Sequence, residues 1–213
     1  MDIKKSGLWI MAAACLLVGS GCATMSASEC QNADWETIGF EDGSKGRLPS
    51  HVGKHRKACA KHNIIPNLGF YLKGHAQGVK KFCTESNGFI IGKKGTSYNG
   101  VCPAEISKRF LNGYHIGKQF YVVSHSIDQL KSSIQSDIKD LEELQERLKK
   151  NEALLVHENS SKDERRRLLK TIKYDQKEMN RLERKVRRSR RHISDKNDEY
   201  EELQFTYRSF LTD

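Results

Sequence analysis

The sequence predicts a mainly α-helical chain, in which a small disulfide-braced, glycine-rich α+β domain precedes a long antiparallel helical hairpin of the coiled-coil type. Three observations support this prediction. Glycine recurs as far as Gly117 and is absent from all later residues. Four cysteines lie in the glycine-rich half, beyond the N-terminal segment. Apolar residues in the second half recur at heptad spacing. We therefore divide the chain into residues 1–21, 22–117 and 118–213.

The overall composition excludes some classes of protein. Of the 213 residues, 37% are apolar and 30% are charged, which excludes a polytopic membrane protein. Aromatic residues make up 8%, and the apolar residues are strongly patterned, which argues against a fully disordered chain. The formal net charge is +10. Such a charge favours anionic partners.

The first 21 residues have the organisation of a secretory signal. Lys4 and Lys5 precede the apolar run 8–18, which is shorter than the ~20 residues of a spanning helix and has the length of a signal-peptide core. Small residues and then Cys22 follow, and this junction resembles the lipobox of bacterial lipoproteins, although Gly19 replaces the usual branched residue. The resemblance implies that Cys22 becomes the first mature residue and carries a diacylglyceryl group.

The residue after Cys22 bears on the location. Ala23 stands where an aspartate would signal inner-membrane retention, so the same resemblance implies an anchor in the outer membrane, with the protein facing the periplasm of the cell envelope. An ordinary cleaved signal peptide and a permanent N-terminal helix are the alternatives. For an exported chain of this charge we expect anionic lipid or another envelope polyanion as a partner, and no nucleic acid.

The cysteines predict a disulfide framework. Cys15 lies in the apolar run and Cys22 takes the lipid. Four remain, Cys30, Cys59, Cys83 and Cys102, and they allow three connectivities. We favour Cys83–Cys102, because the intervening segment is interpreted as two short strands of a hairpin whose ends would meet. Cys30–Cys59 then follows by exclusion.

A weak internal repeat runs through the glycine-rich half. Each copy is an aromatic residue followed by two glycines four positions apart: Trp35 with Gly39 and Gly43, Tyr71 with Gly74 and Gly78, and Phe110 with Gly113 and Gly117. On a helix such glycines share one face, where another backbone could approach closely. Three unrelated glycine-rich turns are the plainer alternative.

The second half predicts two helices. Heptad runs flank a polar turn at Asn159–Ser161, and Ser161 with Glu164 forms a capping-box signature. In the best antiparallel register Leu144 meets Met179, and the acidic residues 142–146 face the basic residues 181–185. We call residues 118–213 the arm. Pairing of the arms of two chains is the alternative to a hairpin within one chain. In either case we expect the arm to mediate self-association or to bind a protein partner.

The second helix also carries a run of arginines without predicted acidic partners. Arg187, Arg188, Arg190 and Arg191 face uncharged residues in the same register. They form a candidate anion patch, for which a solvated helix face is the plainer explanation.

No catalytic motif is present in the sequence. His51, His55 and Cys59 are spaced four apart with His62 nearby, a spacing that suits zinc or copper, but a disulfide at Cys59 would dismantle it. We therefore expect no metal and no cofactor. Three carboxylates, Asp34, Glu41 and Asp42, flank the first glycine pair. They are candidates for carbohydrate binding or hydrolysis, although Asp34 is more simply a helix N-cap.

The order of cysteines, aromatics and glycines resembles a known family. The pattern runs through Cys30, Asp34-Trp35, Gly39, Asp42-Gly43, Gly46, Cys59, Tyr71, Gly74, Gly78, Phe82-Cys83, Asn87-Gly88, Tyr98, Gly100-Val101-Cys102-Pro103, Phe110, Tyr114 and Gly117. It is similar to the uncharacterised Gram-negative lipoproteins grouped as domain of unknown function 2799. The resemblance covers about residues 25–120 and implies an envelope location and lipidation, but no catalytic residue.

These observations favour a non-enzymatic envelope lipoprotein, a membrane-anchored scaffold or interaction protein with a periplasmic helical arm. The alternative is a cell-wall-directed carbohydrate-binding protein or hydrolase that uses the acidic residues near Asp34–Asp42.

Overall fold

The computed structural model describes residues 25–212, and these residues are helical with no strand among them. The helices are α1 (Ala27–Gln31), α2 (Trp35–Ser44), α3 (Val52–Ala60), α4 (Leu68–Phe82), α5 (Glu85–Lys93), α6 (Ala104–Val156) and α7 (Lys162–Thr206), with 3-10 turns at Pro49–His51 and Arg208–Phe210. No helix within this range is both long and apolar enough to cross a membrane. The predicted signal segment and the lipidation of Cys22 lie outside the described residues.

The prediction of a mainly helical chain is confirmed, but the predicted strands are wrong. The segment interpreted as a β-hairpin contains α5, which Thr84 caps by accepting a hydrogen bond from the Asn87 backbone. Gly88 and Gly92 are not turn residues, because both lie buried on the face of α5 that packs against α6. Local apolar content therefore suggested a strand where helix packing selects a helix.

Both favoured disulfides are present in the structure. Cys30–Cys59 and Cys83–Cys102 have Cα–Cα separations of 5.6 and 5.7 Å. The second pairing is correct for a different reason from the one predicted. Helix α5 and the loop after it, rather than a hairpin, return the chain from Cys83 to Cys102.

Helices α2 and α4 pack in parallel through their glycines. A Cβ atom on Gly39 or Gly43 would overlap the backbone of α4, and one on Gly74 or Gly78 would overlap the backbone of α2. The contacted residues advance together along both helices, which shows that the two run in the same direction. Only glycine permits so close an approach of two helices, so these positions fix the packing. We call the segment from α2 through α4, including α3, unit 1.

Helix α5 and the start of α6 repeat this arrangement, and we call them unit 2. Gly88 and Gly92 face the α6 backbone, while Gly113 and Gly117 face the backbone of α5. Residues 25–212 thus contain four glycine pairs instead of the three predicted. The fourth, Gly88 and Gly92, lacks the preceding aromatic residue that marked the others.

The two units correspond position by position. Gly39, Gly43 and Gly46 match Gly88, Gly92 and Gly95 at one constant sequence offset, and Tyr71, Gly74, Gly78 and Phe82 match Phe110, Gly113, Gly117 and Tyr121 at another. Gly46 and Gly95 both have positive φ angles, 70° and 72°, and each would place a Cβ against the matched ring of Phe82 or Tyr121. The glycine-rich half is therefore an internal duplication.

Helices α6 and α7 form an antiparallel hairpin. Helix α6 continues without a break through Gly117, and the turn lies between Val156 and Lys162, where Ser161 accepts a hydrogen bond from the Glu164 backbone. Two buried carboxylates on the facing surfaces pair with basic side chains of the other helix. Asp175 bonds to Arg147 and Asp137 bonds to Lys185, each at 2.7 Å.

The expected ion pairs between residues 142–146 and 181–185 do not form among the described residues. Arg181 pairs instead with Glu178 of its own helix, and Lys185 reaches Asp137. Asp137 and Asp175 are 4% and 1% exposed. The buried carboxylates attract these basic side chains, whereas Glu142 and Glu146 are exposed to solvent.

The far end of α7 packs on unit 2. Phe89, Ile116 and Phe120 form a buried cluster that is covered by Tyr200, Leu203, Tyr207 and Phe210. The ring centroids of Phe89 and Phe210 are 5.1 Å apart. The glycine-rich half and the hairpin therefore share a core at this end, while the turn of the hairpin lies at the opposite end of the arm.

Candidate functional site

A buried carboxylate forms the centre of a polar cluster in unit 1. Asp42 lies in the last turn of α2 and is 2% exposed. Its Oδ1 accepts a hydrogen bond from Arg47 at 2.7 Å. Its Oδ2 accepts one from the Tyr71 hydroxyl and lies 2.8 Å from His55 Nε2. Both carboxylate oxygens thus meet polar groups, which offsets the cost of burying the charge.

These contacts shift two pKa values. Burial alone would raise the pKa of the Asp42 carboxyl, but the hydrogen bonds from His55, Tyr71 and Arg47 outweigh burial and hold the pKa below its usual range. Burial, followed by the hydrogen bond to Asp42, raises the pKa of the Tyr71 hydroxyl. The cluster is consequently stable with a charged carboxylate and a protonated phenol.

Two histidines close the cluster on the side of α3. His51 and His55 are one helical turn apart, and their ring centroids are 5.6 Å apart. One ligand atom each of Asp42, His51 and His55 lies within 4.8 Å of the others. Burial lowers the pKa of His51. The three side chains could therefore share a proton or a cation.

The matched positions of unit 2 contain no such cluster. Asp42 corresponds to Ile91, Tyr71 to Phe110 and His75 to Tyr114. The carboxylate and the hydroxyl that binds it are thus both replaced by apolar groups in the same packing arrangement. The close approach of the paired helices therefore does not require these polar groups, which in unit 1 also join α2 to Arg47 and to His55 of α3.

The structure separates the residues that the sequence grouped as a metal site. Cys59 forms the disulfide with Cys30, and His62 is exposed beyond the end of α3. Only His51 and His55 of the predicted group come together, and Asp42 joins them.

The predicted acidic group is also divided. Asp34 caps α2 by accepting hydrogen bonds from the Glu36 and Thr37 backbone, in agreement with the simpler interpretation. Glu41 is exposed and pairs with Lys45. Asp42 is therefore the only one of the three that lies within the cluster.

Sequence reasoning misses three members of the cluster. Tyr71 stands out in the sequence only as an aromatic residue of the repeat, and nothing singles out Arg47 or His75. His75 is buried and donates from Nε2 to the Arg47 backbone carbonyl at 2.7 Å. Alignment of the two units could have revealed Tyr71, since its hydroxyl is the difference from Phe110.

The predicted anion patch lies on the outer face of α7. Arg187, Arg188, Arg190 and Arg191 line an open groove, and Arg184 joins them along one side. The Arg187 guanidinium forms an ion pair with the Glu183 carboxylate, with a nitrogen–oxygen distance of 3.7 Å. Among residues 25–212 the other four have no carboxylate within 4.0 Å.

Comparison with known proteins confirms the predicted resemblance over both units. Residues 34–119 match the family of proteins of unknown function DUF2799. No curated protein and no solved structure gives a significant match. The matched segment ends three residues after Ile116, where α6 leaves unit 2 and enters the hairpin. The duplication is therefore the part shared with DUF2799, and the arm extends beyond the match.

Proposed function

We propose that this chain is a non-enzymatic, lipid-anchored protein of the cell envelope, in which the duplicated glycine-packed units act as a base and the hairpin arm binds an anionic lipid surface. The single observation that carries the proposal is the cluster of arginines on the outer face of α7. Guanidinium groups bind phosphates through paired hydrogen bonds, and a cluster of them is attracted to anionic headgroups.

The position of the arginine cluster on α7 suits a protein anchored at Cys22. Helix α1 begins at Ala27, five residues after Cys22, so an anchor there would keep the start of α1 within about 15–20 Å of the bilayer surface. The arginines lie in the part of α7 nearer to unit 2, because the α7 end at Tyr200 packs on Phe120. The cluster is thus closer to the base than to the hairpin turn.

The arm also provides a surface for protein contacts. Helix α7 has 45 residues, which at about 1.5 Å per residue gives a length of roughly 65 Å. Exposed apolar side chains near the turn, Val156 and Leu169, have 78% and 55% of their surface accessible. They support the expectation that the turn of the arm meets a partner or another copy.

Vesicle flotation tests the lipid-binding proposal. The protein would carry Cys22→Ser, so that binding reports the arm and not the anchor, and would be mixed with phosphatidylcholine vesicles with or without phosphatidylglycerol. We expect flotation only with the anionic vesicles, and its loss in the Arg187/Arg188/Arg190/Arg191→Gln variant. Each neutralised cation near the surface contributes about 1 kcal/mol.

A matched control removes the same charge elsewhere on the hairpin. Lys149, Lys150, Lys170 and Lys173 are exposed and form no ion pair among the described residues. Their replacement by Gln should leave most of the flotation intact. Equal losses in both variants would show that net charge, not the arginine cluster, governs binding and would contradict the proposal.

A further inference from the structure

We propose that Asp42, His51 and His55 form a binding site for a divalent metal ion of the zinc class. Two imidazoles and one carboxylate are a common ligand set for Zn²⁺, with a further position left for water or another ligand. The three ligand atoms lie within 4.8 Å of one another on a fold that positions all three. Such a site is independent of the proposed lipid contact of the arm.

Side-chain movements would complete the coordination. Zinc–ligand bonds are about 2.0–2.2 Å long, so two donors on one tetrahedral ion are about 3.4 Å apart. A pair at the 4.8 Å limit must therefore approach by more than about one ångström. The His51 imidazole can make this movement, since it has no hydrogen-bond partner among residues 25–212. His55 would exchange its contact with Asp42 Oδ2 for a bond to the metal.

The surroundings would hold the ligands in place. Arg47 donates a hydrogen bond to Oδ1 of Asp42, and the Tyr71 hydroxyl donates one to Oδ2, so the carboxylate is oriented from both sides. The rings of Trp35 and Tyr71 each lie 6.1 Å from the His55 ring and limit its rotation. Outer contacts of this kind strengthen metal binding by orienting the ligands.

The disulfide fixes the helix that carries His55. Cys59 follows His55 by one turn of α3, and its bond to Cys30 ties α3 to α1. An open groove beside His51, bordered by Ser50, Asn99 and the basic residues Arg47 and Lys54, connects the site with solvent. Metal binding would therefore have to overcome the positive charge of those two residues.

The duplication argues that the ligand set is not a by-product of folding. At the matched positions unit 2 has Ile91 for Asp42, and its connecting loop has no helix in the place of α3. A buried charged cluster usually costs stability compared with an apolar replacement. Unit 1 therefore maintains an arrangement that unit 2 dispenses with, and metal binding accounts for its three donor groups.

Calorimetric titration with Zn²⁺ tests the site, in the full chain with both disulfides intact and in buffer free of chelators. We expect one ion bound per chain. Cu²⁺ provides a second readout in a Trp9→Phe background, in which quenching of tryptophan fluorescence reports Trp35 beside His55.

The decisive variant is His51→Gln, because this side chain has no hydrogen bond among residues 25–212 whose loss would disturb the fold. We expect at least about a tenfold loss of affinity in it, and unchanged affinity in the matched control His62→Gln. Asp42→Asn, with its folding checked by circular dichroism, should also lose binding. Absence of one-to-one binding, an unaltered affinity in His51→Gln, or an equal loss in His62→Gln would overturn the proposal.

Discussion

At the residue scale, Asp42 links the folding of unit 1 to its chemistry. Its carboxylate is buried beneath α3 and α4 yet remains charged, because Arg47, His55 and Tyr71 all direct polar groups at it. In unit 2 the same place in the packing is taken by Ile91. The carboxylate therefore adds a charge-dependent contribution to the stability of unit 1 that unit 2 lacks.

This contribution should depend on pH. The pKa of Asp42 is lowered in the folded protein, so the unfolded chain binds the proton more readily, and the stabilisation is lost as the pH falls from the unfolded value of about 3.9 through the folded pKa. At neutral pH, Asp42→Asn should lower the free energy of unfolding by about 1.5–3 kcal/mol. Urea denaturation at several pH values would measure this.

The difference between wild type and Asp42→Asn should shrink below about pH 4. Glu41→Gln is the control, since Glu41 is the exposed neighbour of Asp42, and its surface pair with Lys45 is worth less than about 1 kcal/mol. A difference that stayed constant down to about pH 2 would show that Asp42 is not charged in the folded protein.

At the scale of the elements, the glycine pairs decide how the helices approach one another. Gly39→Ala should destabilise the protein by about 1–3 kcal/mol, because the new methyl group overlaps the backbone at Tyr71 and one helix must move. Gly53→Ala is the matched control. Gly53 lies in α3, and its new methyl group would have nothing within 4 Å, so the substitution should be neutral or stabilise by up to about 1 kcal/mol. Thermal denaturation distinguishes the two, and equal effects would refute close helix packing.

Buried charges join the two helices of the hairpin. Arg147→Met leaves the Asp175 carboxylate, which is 1% exposed, without its two hydrogen bonds and should cost about 3–5 kcal/mol. The double variant Arg147→Met/Asp175→Leu should recover most of this loss. Arg166→Met, which removes an exposed pair with Asp163, should cost less than about 1 kcal/mol. Failure of the double variant to recover stability in urea titrations would show that the pair does not act as described.

Most of the helical hairpin could be predicted from the sequence. The heptad runs and Ser161 placed the hairpin and its turn. The buried pairs Arg147–Asp175 and Asp137–Lys185, which join the two helices, were not foreseen from the apolar spacing. The segment at α5 was misassigned, because apolar residues between glycines are compatible with a strand until the facing helix is known.

The candidate site was only partly predictable, because its residues come from helices whose packing partners were unknown. His51 and His55 share a helical face and were recognisable from spacing, whereas Asp42 and Tyr71 reach them from α2 and α4. Those contacts depend on the parallel packing of two helices that are distant in sequence. Glycine spacing indicates such packing but does not specify which helices are partners.

At the scale of the whole molecule, one aromatic cluster joins the base to the arm. Phe210 packs on Phe89 of α5, so Phe210→Ala should loosen both the end of α7 and unit 2, at a cost of about 1–3 kcal/mol because Phe210 is only partly buried. Hydrogen exchange should show reduced protection in α5 and unchanged protection in α2. Phe205→Ala is the control, since Phe205 is 78% exposed. Unchanged exchange of α5 in Phe210→Ala would mean that arm and base are independent.

The proposed function depends on the attachment of this assembly to a membrane. The anchor, the base and the arginine cluster form a consistent arrangement only if Cys22 is the first residue of the mature chain and is acylated. Without the anchor, nothing in the proposal holds the start of α1 near the bilayer.

Mass spectrometry of the N-terminal peptide, recovered from membranes of cells expressing the chain, tests this most directly. We predict a peptide that begins at Cys22 and carries a diacylglyceryl group on its Sγ atom, and a Cys22→Ser protein that is no longer retained by the membrane through a lipid. A mature N-terminus at another residue, or an unmodified Cys22 thiol in the membrane-bound protein, would contradict the proposed anchoring.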